Sequence, residues 1–402
     1  MGNPWRAALL IAGTSLRLLC GRRAGAARKS VFPGTEAHRL FRCRCRMVYI
    51  LGHHAIQATT QGGPVRRISR HLNLLLLMLL AMATSFALLA PVAVAVKAPP
   101  APMGTQAYTY IDALTRITNS DGTYTTILRK QGTAGEVDAA AKVQAWFTDA
   151  GYLAQLQPFT YEVDGTTYSS QNVVASRPAA AKRGSKPRPL VIIGAHYDAR
   201  TEGAGADDNA SGVAVMLEVA QRIAKYKTPY DLVFVAFGAE ESPAGEEGSA
   251  HYVAQMSKRD TKRAIVMINY DSLIVGDKLY VHAGFNKKTW ARDRMLRLIK
   301  QYRLHIRTQP GWNPEYPAGL TPNGFSDYSS FNKAGIPIVS FESTNWEIAD
   351  LDGYTQTELH GSFWHTPNDT LAAIESLFPY RPMVRLYAFT KLTYEFLQGL
   401  RR

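Results

Sequence analysis

The chain contains little cysteine and little charge. Its 402 residues include three cysteines, Cys20, Cys43 and Cys45, all near the amino terminus. The rest of the chain can therefore form neither a disulfide nor a thiolate metal site, and any metal there must be held by His, Asp or Glu. Charged residues make up 19% and hydrophobic residues 46%, which excludes a mainly disordered chain and allows a sizeable core.

The net charge of +14 is concentrated in the amino-terminal part. Residues 1–97 hold fourteen Lys and Arg against one acidic residue, Glu36, whereas the remaining 305 residues hold 32 basic and 31 acidic residues. A nearly neutral body lacks the basic surface that binds phosphate backbones. We therefore expect no nucleic acid among the partners.

A basic leader, residues 1–71, precedes an uncharged apolar run over residues 72–96. Near its end, Ala93-Val94-Ala95 matches the small-x-small pattern of a cleavage site, so the leader and this run together are typical of a signal peptide. The run is also long enough to span a bilayer if it is not cleaved. The sequence thus predicts export to the periplasm or the medium, with anchoring in the inner membrane through residues 72–96 as the alternative.

The leader also leaves the start of the chain open. Residues 1–46 are rich in Arg and poor in acids, which is typical of a transit-like peptide or of an over-long start with Met47 as the initiator. Residues 97–103 form a Pro/Ala linker. The body, residues 104–402, contains no further linker and is predicted to be one domain.

The body alternates strand-like and helical patterns. Short apolar runs typical of strands buried on both faces alternate with amphipathic stretches such as 207–226. The apolar runs are Leu190–Ala195, Leu232–Phe237, Ala264–Tyr270 and Ile336–Phe341. This alternation predicts an α/β fold, a three-layer α/β/α sandwich with a mixed, largely parallel central sheet.

Polar residues capable of binding metal follow these predicted strands. Ligands of open α/β sheets bind outside the carboxyl ends of the strands, so these residues are the first candidates for a site. The clusters are His196-Tyr197-Asp198, Asp207-Asp208-Asn209-Ala210-Ser211-Gly212, Glu240-Glu241, Asn269-Tyr270-Asp271 and His365-Thr366-Pro367-Asn368-Asp369. Each alone is more often a surface pair, a solvated face, a helix cap or a turn. Gathered at one sheet edge, however, such carboxylates would repel one another without a cation.

Charge arithmetic favours two divalent ions. Asp208, Glu241 and Asp271 with one hydroxide carry four negative charges, which balance two Zn²⁺. The imidazoles of His196 and His365 would complete the set of ligands. Imidazole together with carboxylate suits zinc best, with cobalt or manganese as substitutes.

These clusters resemble the motifs of the M28 family of zinc peptidases. That family has H-x-D, D-D/N-A-S-G, E-E, N-x-D and H-T-x-x-D motifs in this order, and the resemblance covers about residues 104–402. It implies a zinc-dependent exopeptidase fold and an aminopeptidase that acts on the amino termini of peptides or proteins. A bound water held between two zinc ions would attack the peptide bond.

The resemblance also implies a role for each residue. His196, Asp208 and Asp271 would hold one zinc, and Asp208, Glu241 and His365 the other. Glu240 would be the general base, and Asp198 would orient His196.

One residue departs from the family pattern. Many members place Tyr before the second His, where it helps to stabilise the oxyanion, whereas this chain has Trp364 before His365. A Trp at that position is similar to the glutaminyl cyclases, which bind one zinc. A cyclase is therefore an alternative function, and a non-catalytic ectodomain is a third.

Substrate preference depends on an acidic residue near the pocket. Segments 268–280, 316–319 and 344–354 resemble one branch of the family, and this resemblance implies a preference for amino-terminal Arg or Lys. Glu315 and Asp327 lie in the stretch 311–330, which is expected to line the cleft, and Glu342 follows a strand end. Each of the three could equally be a solvated loop carboxylate.

Overall fold

The computed structural model describes residues 101–177, 187–200 and 202–400. The basic leader and the apolar run 72–96 lie outside these residues, so the predictions of a signal peptide and an anchor stay predictions. In the part of the chain that is described, no helix is both long and apolar enough to cross a membrane.

Nine of the described strands form one mixed sheet. A small separate hairpin, β1 (Arg116–Thr118) with β2 (Tyr124–Thr126), precedes it. The strands of the large sheet are β3 (Leu153–Val163), β4 (Thr166–Arg177), β5 (Leu190–His196), β6 (Asp231–Phe237), β7 (Ala264–Tyr270), β8 (Lys278–Gly284), β9 (Ile306–Arg307), β10 (Leu320–Thr321) and β11 (Ile338–Thr344).

The order of the large sheet is β10-β8-β11-β7-β5-β6-β4-β3, with β9 paired to β8. The central strands β11, β7, β5 and β6 run parallel to one another. The hairpin of β3 and β4 extends the sheet in antiparallel fashion, and β8 pairs antiparallel with β11. The carboxyl ends of the four central strands therefore meet at one edge, where the sequence places its polar clusters.

Helices cover both faces of this sheet. Their bounds are α1 (Thr105–Thr115), α2 (Ala134–Asp149), α3 (Gly212–Ile223), α4 (Glu247–Gln255), α5 (Lys258–Arg263), α6 (Trp290–Tyr302), α7 (Tyr328–Lys333), α8 (Leu371–Leu377) and α9 (Arg381–Gly399). Alternate residues of β5 pack into different cores: Val191 and Ile193 lie in the cluster that contains α1, α2, α3 and α9, and Ile192 lies with Phe331 of α7. The predicted three-layer sandwich is confirmed.

Two predicted boundaries differ from the structure. The helix expected over 207–226 begins at Gly212, because residues 206–211 form a wider π-type turn in which Asp208 and Asn209 are not helical. The strand expected from Ile336 begins at Ile338. Pro337 precedes it and has no N–H to donate to the ladder.

Candidate metal centre

The five predicted metal ligands come from five separate segments that end at the same edge of the sheet. His196 is the last residue of β5, Asp271 directly follows β7, and Glu241 lies in the turn after β6. Asp208 lies in the π-type turn before α3, and His365 lies in the long connection between β11 and α8. Since β5 lies between β6 and β7, the first three are neighbours by sheet order alone.

The side chains of these residues form two groups that share Asp208. His196 Nε2 lies 3.2 Å from Asp208 Oδ1 and 3.5 Å from Asp271 Oδ1. His365 Nε2 lies 3.3 Å from Asp208 Oδ2 and 3.1 Å from Glu241 Oε1. Each oxygen of Asp208 thus faces a different imidazole, as a carboxylate that bridges two cations would.

These distances fit zinc. Tetrahedral coordination with bonds of ~2.0–2.1 Å places neighbouring ligand atoms about 3.3 Å apart. Hydrogen bonding alone cannot account for the group, because oxygens of Asp208, Asp271 and Glu240 all approach His196 Nε2, which carries at most one hydrogen. The nitrogen and oxygen donors, without sulfur, suit zinc in each half of the centre.

The electrostatics of the site also call for cations. Burial raises the pKa of Asp208, and the nearby Glu241 raises it further. Burial favours the neutral imidazole of His196, but the surrounding carboxylates, Glu240 first, hold its pKa well above the usual value. Burial likewise acts to raise the pKa of Glu241, yet its contacts with His365 and other cationic groups lower it to about 2. The centre therefore concentrates negative charge that needs a positive partner.

Glu240, the predicted general base, lies beside the metal ligands without being one of either group. Its Oε2 is 3.9 Å from His196 Nε2, and its side chain lines the cavity over the centre. Burial raises the pKa of Glu240 well above its usual value, and the charge of Glu241 adds to this effect. A raised pKa suits a carboxylate that accepts a proton and passes it on.

Asp198 has a role that the sequence did not reveal. Its carboxylate accepts hydrogen bonds from the backbone N–H groups of Glu240 (3.2 Å) and Glu241 (3.0 Å), so it fixes the turn that carries both. It is also the acidic group nearest to His196 Nδ1, but at 3.5 Å the contact is too long for a good hydrogen bond. The predicted orientation of His196 by Asp198 stays a prediction.

Asp369 and Gln356 support the site through hydrogen bonds, and neither was among the predicted site residues. The buried carboxylate of Asp369 accepts from the backbone N–H groups of Asp207 (2.6 Å) and Asp208 (3.0 Å) and so shapes the π-type turn. Gln356 donates to Asp207 at 2.5 Å, and its carbonyl accepts from Trp364 N, just before His365. The motif H-T-x-x-D carried a signal for Asp369, whereas nothing in the sequence marked Gln356.

Two arginines support the same edge. The fully buried Arg129 donates to the carbonyl groups of Tyr197, Ala204 and Gly205 and thereby connects the end of β5 to the π-type turn. Arg200, whose side chain is about half exposed, donates to Glu241 Oε2 at 2.7 Å.

A cavity of about 640 Å³ opens over the metal centre. The predicted metal ligands Asp208, Glu241, Asp271 and His365 line it, and aromatic residues form much of the remaining wall. These aromatic residues are Phe325, Tyr328, Trp346, Tyr354 and Trp364. The indole Nε1 of Trp364 is buried and has no hydrogen-bond partner in the described part of the chain.

The three acidic candidates for substrate selection are placed differently. Glu342 lines the cavity. Glu315 is exposed and lies outside the cavity wall, because the 311–330 stretch reaches the wall only from Gly324 onward. Asp327 also lies outside the wall: its carboxylate is fully buried beneath the first turn of α7, and its pKa is well above the usual value because of burial. Glu315 and Asp327 therefore do not line the cavity as expected, and a role for either in substrate selection stays a prediction.

Comparisons with known proteins agree with this architecture. The family model described as Peptidase family M28 matches residues 172–378. The chain is 34% identical over 263 residues to the alkaline phosphatase isozyme conversion protein of Escherichia coli, covering 59% of this chain and 75% of that protein. It is 31% identical over 233 residues to the aminopeptidase YwaD of Bacillus subtilis, covering 56% of this chain and 45% of the relative.

Solved structures share the fold at lower sequence identity. A zinc aminopeptidase from Bacillus subtilis superposes with a TM-score of 0.57 at 18% identity, covering 74% of this chain and 96% of that one. The glutaminyl cyclase of Porphyromonas gingivalis gives a TM-score of 0.54 at 20% identity and covers 74% of this chain and 98% of its own. Both kinds of enzyme therefore use this three-layer scaffold.

Proposed function

Because the chain belongs to peptidase family M28 and is a metallo-aminopeptidase, we propose that it hydrolyses the amino-terminal peptide bond of peptides or proteins with two zinc ions at the metal centre. The observation that carries the two-ion proposal is the position of Asp208 between the two imidazoles, 3.2 Å from His196 and 3.3 Å from His365. Two groups of donor atoms that share one carboxylate support two ions rather than one.

His196, Asp208 and Asp271 would hold one ion, and Asp208, Glu241 and His365 the other. When bound, zinc would supply Lewis acidity and would lower the pKa of a bound water towards ~7. Glu240, as general base, would accept a proton from the attacking water and donate it to the leaving amine. Asp198 keeps Glu240 and Glu241 in register by binding their backbone N–H groups.

The cavity favours a positively charged amino terminus. Glu240, Asp271, Glu246 and Glu342 contribute carboxylates to its wall, whereas Arg200, one of its cationic residues, is paired with Glu241. A wall of this sign attracts an ammonium group and disfavours the carboxyl end of a peptide. We assign the preference for amino-terminal Arg or Lys to Glu342, since it alone of the three acidic candidates lines the cavity.

We also propose that the leader exports the protein to the periplasm or the medium. The uncharged run 72–96, the basic residues before it and the small residues Ala93-Val94-Ala95 support this proposal. Amino-terminal sequencing of the mature protein would find residue 96 at the start if the leader is cleaved. An intact leader in the membrane fraction would support the anchored form.

The activity is tested with the full chain, purified in detergent and loaded with zinc. We expect two zinc ions per chain and release of p-nitroaniline from Arg and Lys p-nitroanilides faster than from the Leu compound. Acetylation of the Arg substrate should abolish release, because the free amine is then lost. Equal cleavage of acetylated and free substrates would refute an aminopeptidase, and equal rates on Arg, Lys and Leu would refute the basic preference.

One observation favours a glutaminyl cyclase as the second candidate. Trp364 precedes His365, as in the cyclases that the sequence resembles, and it forms part of the cavity wall. A content of one zinc per chain together with cyclisation of an amino-terminal Gln would establish this alternative. The shared position of Asp208 argues for the peptidase.

A further inference from the structure

Glu342 lies next to the metal centre and on the same side of the sheet as Asp271. The strands β7 and β11 are parallel, and Tyr270 lies beside Phe341. The next residue of each segment, Asp271 and Glu342, therefore also lie beside each other. The rings of Tyr270 and Phe341 stack on each other on the opposite face of the sheet. Because side chains alternate along a strand, the two carboxylates point to the cavity side, about one strand spacing apart.

Two neighbouring side chains fix one oxygen of Glu342. His282 Nε2 lies 2.8 Å from Glu342 Oε1, and the indole Nε1 of Trp346 donates to the same oxygen. His282 belongs to β8, which pairs with β11 on the side away from β7. Oε1 is thereby saturated, whereas Oε2 has no hydrogen-bond partner within the described ranges.

We propose that His282, Glu342 and Trp346, which we call the Glu342 subsite, bind the cationic side chain of the substrate's amino-terminal residue. Glu342 would contact this side chain through Oε2, and His282 and Trp346 would be positioning residues that hold the carboxylate in place. The inference rests on the proposed function and deepens it.

The two donors are themselves rigid. The side chain of His282 is fully buried and Trp346 is 2% exposed. His282 stacks on Tyr280 with 5.6 Å between ring centroids, and Trp346 packs edge-on against Tyr316 at 5.4 Å. Side chains that are locked by packing lose little entropy when a ligand binds, so they suit a preformed recognition site.

In the described part of the chain, Glu342 has no Lys or Arg as a partner. Among the described residues, no Lys or Arg lies within 4 Å of its carboxylate, and its two donors are an indole and an imidazole. Against a carboxylate acceptor, Nε2 of His282 is the donor. A guanidinium or ammonium group of the substrate would pair with this carboxylate, and the ring of Tyr354, which is exposed in the same wall, would contact it by cation–π interaction.

The competing explanation is that Glu342 is only a structural acceptor for two buried donors. The two explanations differ in what they predict for substrate choice. If Glu342 is only a structural acceptor, its substitution should lower stability and should change kcat/KM equally for all substrates. If it recognises the substrate, its substitution should change the ratio of kcat/KM for Arg p-nitroanilide to that for norleucine p-nitroanilide. Norleucine matches the aliphatic stem of the basic residues without their charge.

The experiment measures this ratio on the full, zinc-loaded chain. We expect Glu342→Gln to lower it about 10- to 100-fold, as for loss of a hydrogen bond to a charged group, with unchanged zinc content. His282→Phe and Trp346→Phe each keep an aromatic side chain but remove the N–H donor. Each should lower the ratio by a smaller factor than Glu342→Gln does. His282→Gln restores an N–H donor and should recover part of the loss.

Two further comparisons separate recognition from stability. In the Glu342→Gln background, His282→Phe should cause no further fall in the ratio, because the group that it positions has lost its charge. Glu315→Gln is the matched control: it removes an exposed Glu outside the cavity wall and should leave the ratio unchanged. A ratio within about threefold of the parent in Glu342→Gln, with norleucine activity retained, would overturn the proposal.

Equilibrium binding keeps the test independent of catalysis. Free arginine and free norleucine, which have no amide bond to hydrolyse, are titrated calorimetrically into the parent protein and Glu342→Gln. If the parent hydrolyses nothing but Glu342→Gln selectively weakens the binding of arginine, the Glu342 subsite stands and the proposed function fails. If hydrolysis occurs and neither the kinetic ratio nor arginine binding responds to Glu342→Gln, the proposed function stands and the subsite is refuted.

Discussion

The metal centre and the Glu342 subsite lie side by side in one cavity, yet they are built in different ways. At the metal centre, the carboxylates of Asp198 and Asp369 accept hydrogen bonds from backbone N–H groups. They thereby fix the two turns that carry Glu240, Glu241 and Asp208. Glu342 is held by two side chains from β8 and from the loop after β11. The turns of the metal centre are thus fixed through main-chain hydrogen bonds at the strand ends, whereas the orientation of Glu342 depends on the packing of two other side chains.

The largest effect is expected at the residue that joins the two halves of the metal centre. Asp208→Asn removes the charge that faces both imidazoles, and we expect zinc content to fall and kcat/KM to drop by roughly 10³-fold or more, since Lewis acidity contributes several kcal/mol. Zinc analysis and kinetics on the same preparation check this. If Asp208→Asn retained both zinc and activity, Asp208 would not be the ligand that joins the two halves of the metal centre.

Glu240→Gln should separate catalysis from metal binding within the centre. Glu240 lies 3.9 Å from His196 but belongs to neither group of ligands, so zinc content should stay at the parent value. We expect kcat to fall about 10²- to 10⁴-fold because the general base is lost. Full activity in Glu240→Gln would show that another group accepts the proton.

Asp198→Asn tests the claim that main-chain anchoring matters at the centre. An amide can offer only one oxygen to the N–H groups of Glu240 and Glu241, so the turn should loosen. We expect zinc affinity to fall roughly 10- to 100-fold, as for other groups that support metal ligands. Competition with a chelator measures this affinity. The ratio of kcat/KM for Arg p-nitroanilide to that for norleucine p-nitroanilide should stay unchanged.

The smallest effect is expected for Arg200→Gln. Its guanidinium pairs with Glu241, but the side chain is 48% exposed, and exposed ion pairs contribute little. We expect kcat/KM to change less than about tenfold, with zinc retained. Arg303→Gln, at an exposed position that ends α6, is the control. A loss comparable to that of Glu240→Gln would place Arg200 in the catalytic machinery.

Much of the fold could be predicted because local patterns and tertiary structure agree. The strand Ala264–Tyr270 has the predicted bounds, since a continuous apolar run buried on both faces leaves few alternatives. The start of α3 was placed too early because the turn over 206–211 depends on Asp369, more than 150 residues away in the chain. No local pattern contains that contact.

The candidate site likewise has features that local sequence patterns predict and features that depend on long-range contacts. His196, Asp208, Glu241, Asp271 and His365 were visible because few residue types bind zinc and they follow strand ends, where an α/β sheet gathers them. The structure brings the five together, and their role as zinc ligands stays a prediction. Glu315, Asp327 and Glu342 could not be ranked, because a lone carboxylate carries no sign of whether its side chain is exposed, buried or in the cavity wall.

The three-layer fold, the family and the sheet edge that carries the polar clusters could be predicted from the sequence, because strand patterns and metal-binding residue types are properties of short segments. Which of the acidic candidates lines the cavity, and what holds its carboxylate, depends on tertiary packing. His282 and Trp346 reach Glu342 only after β8 pairs with β11 and the following loop folds back over it. Such contacts arise from the packing of distant segments, and no single segment encodes them.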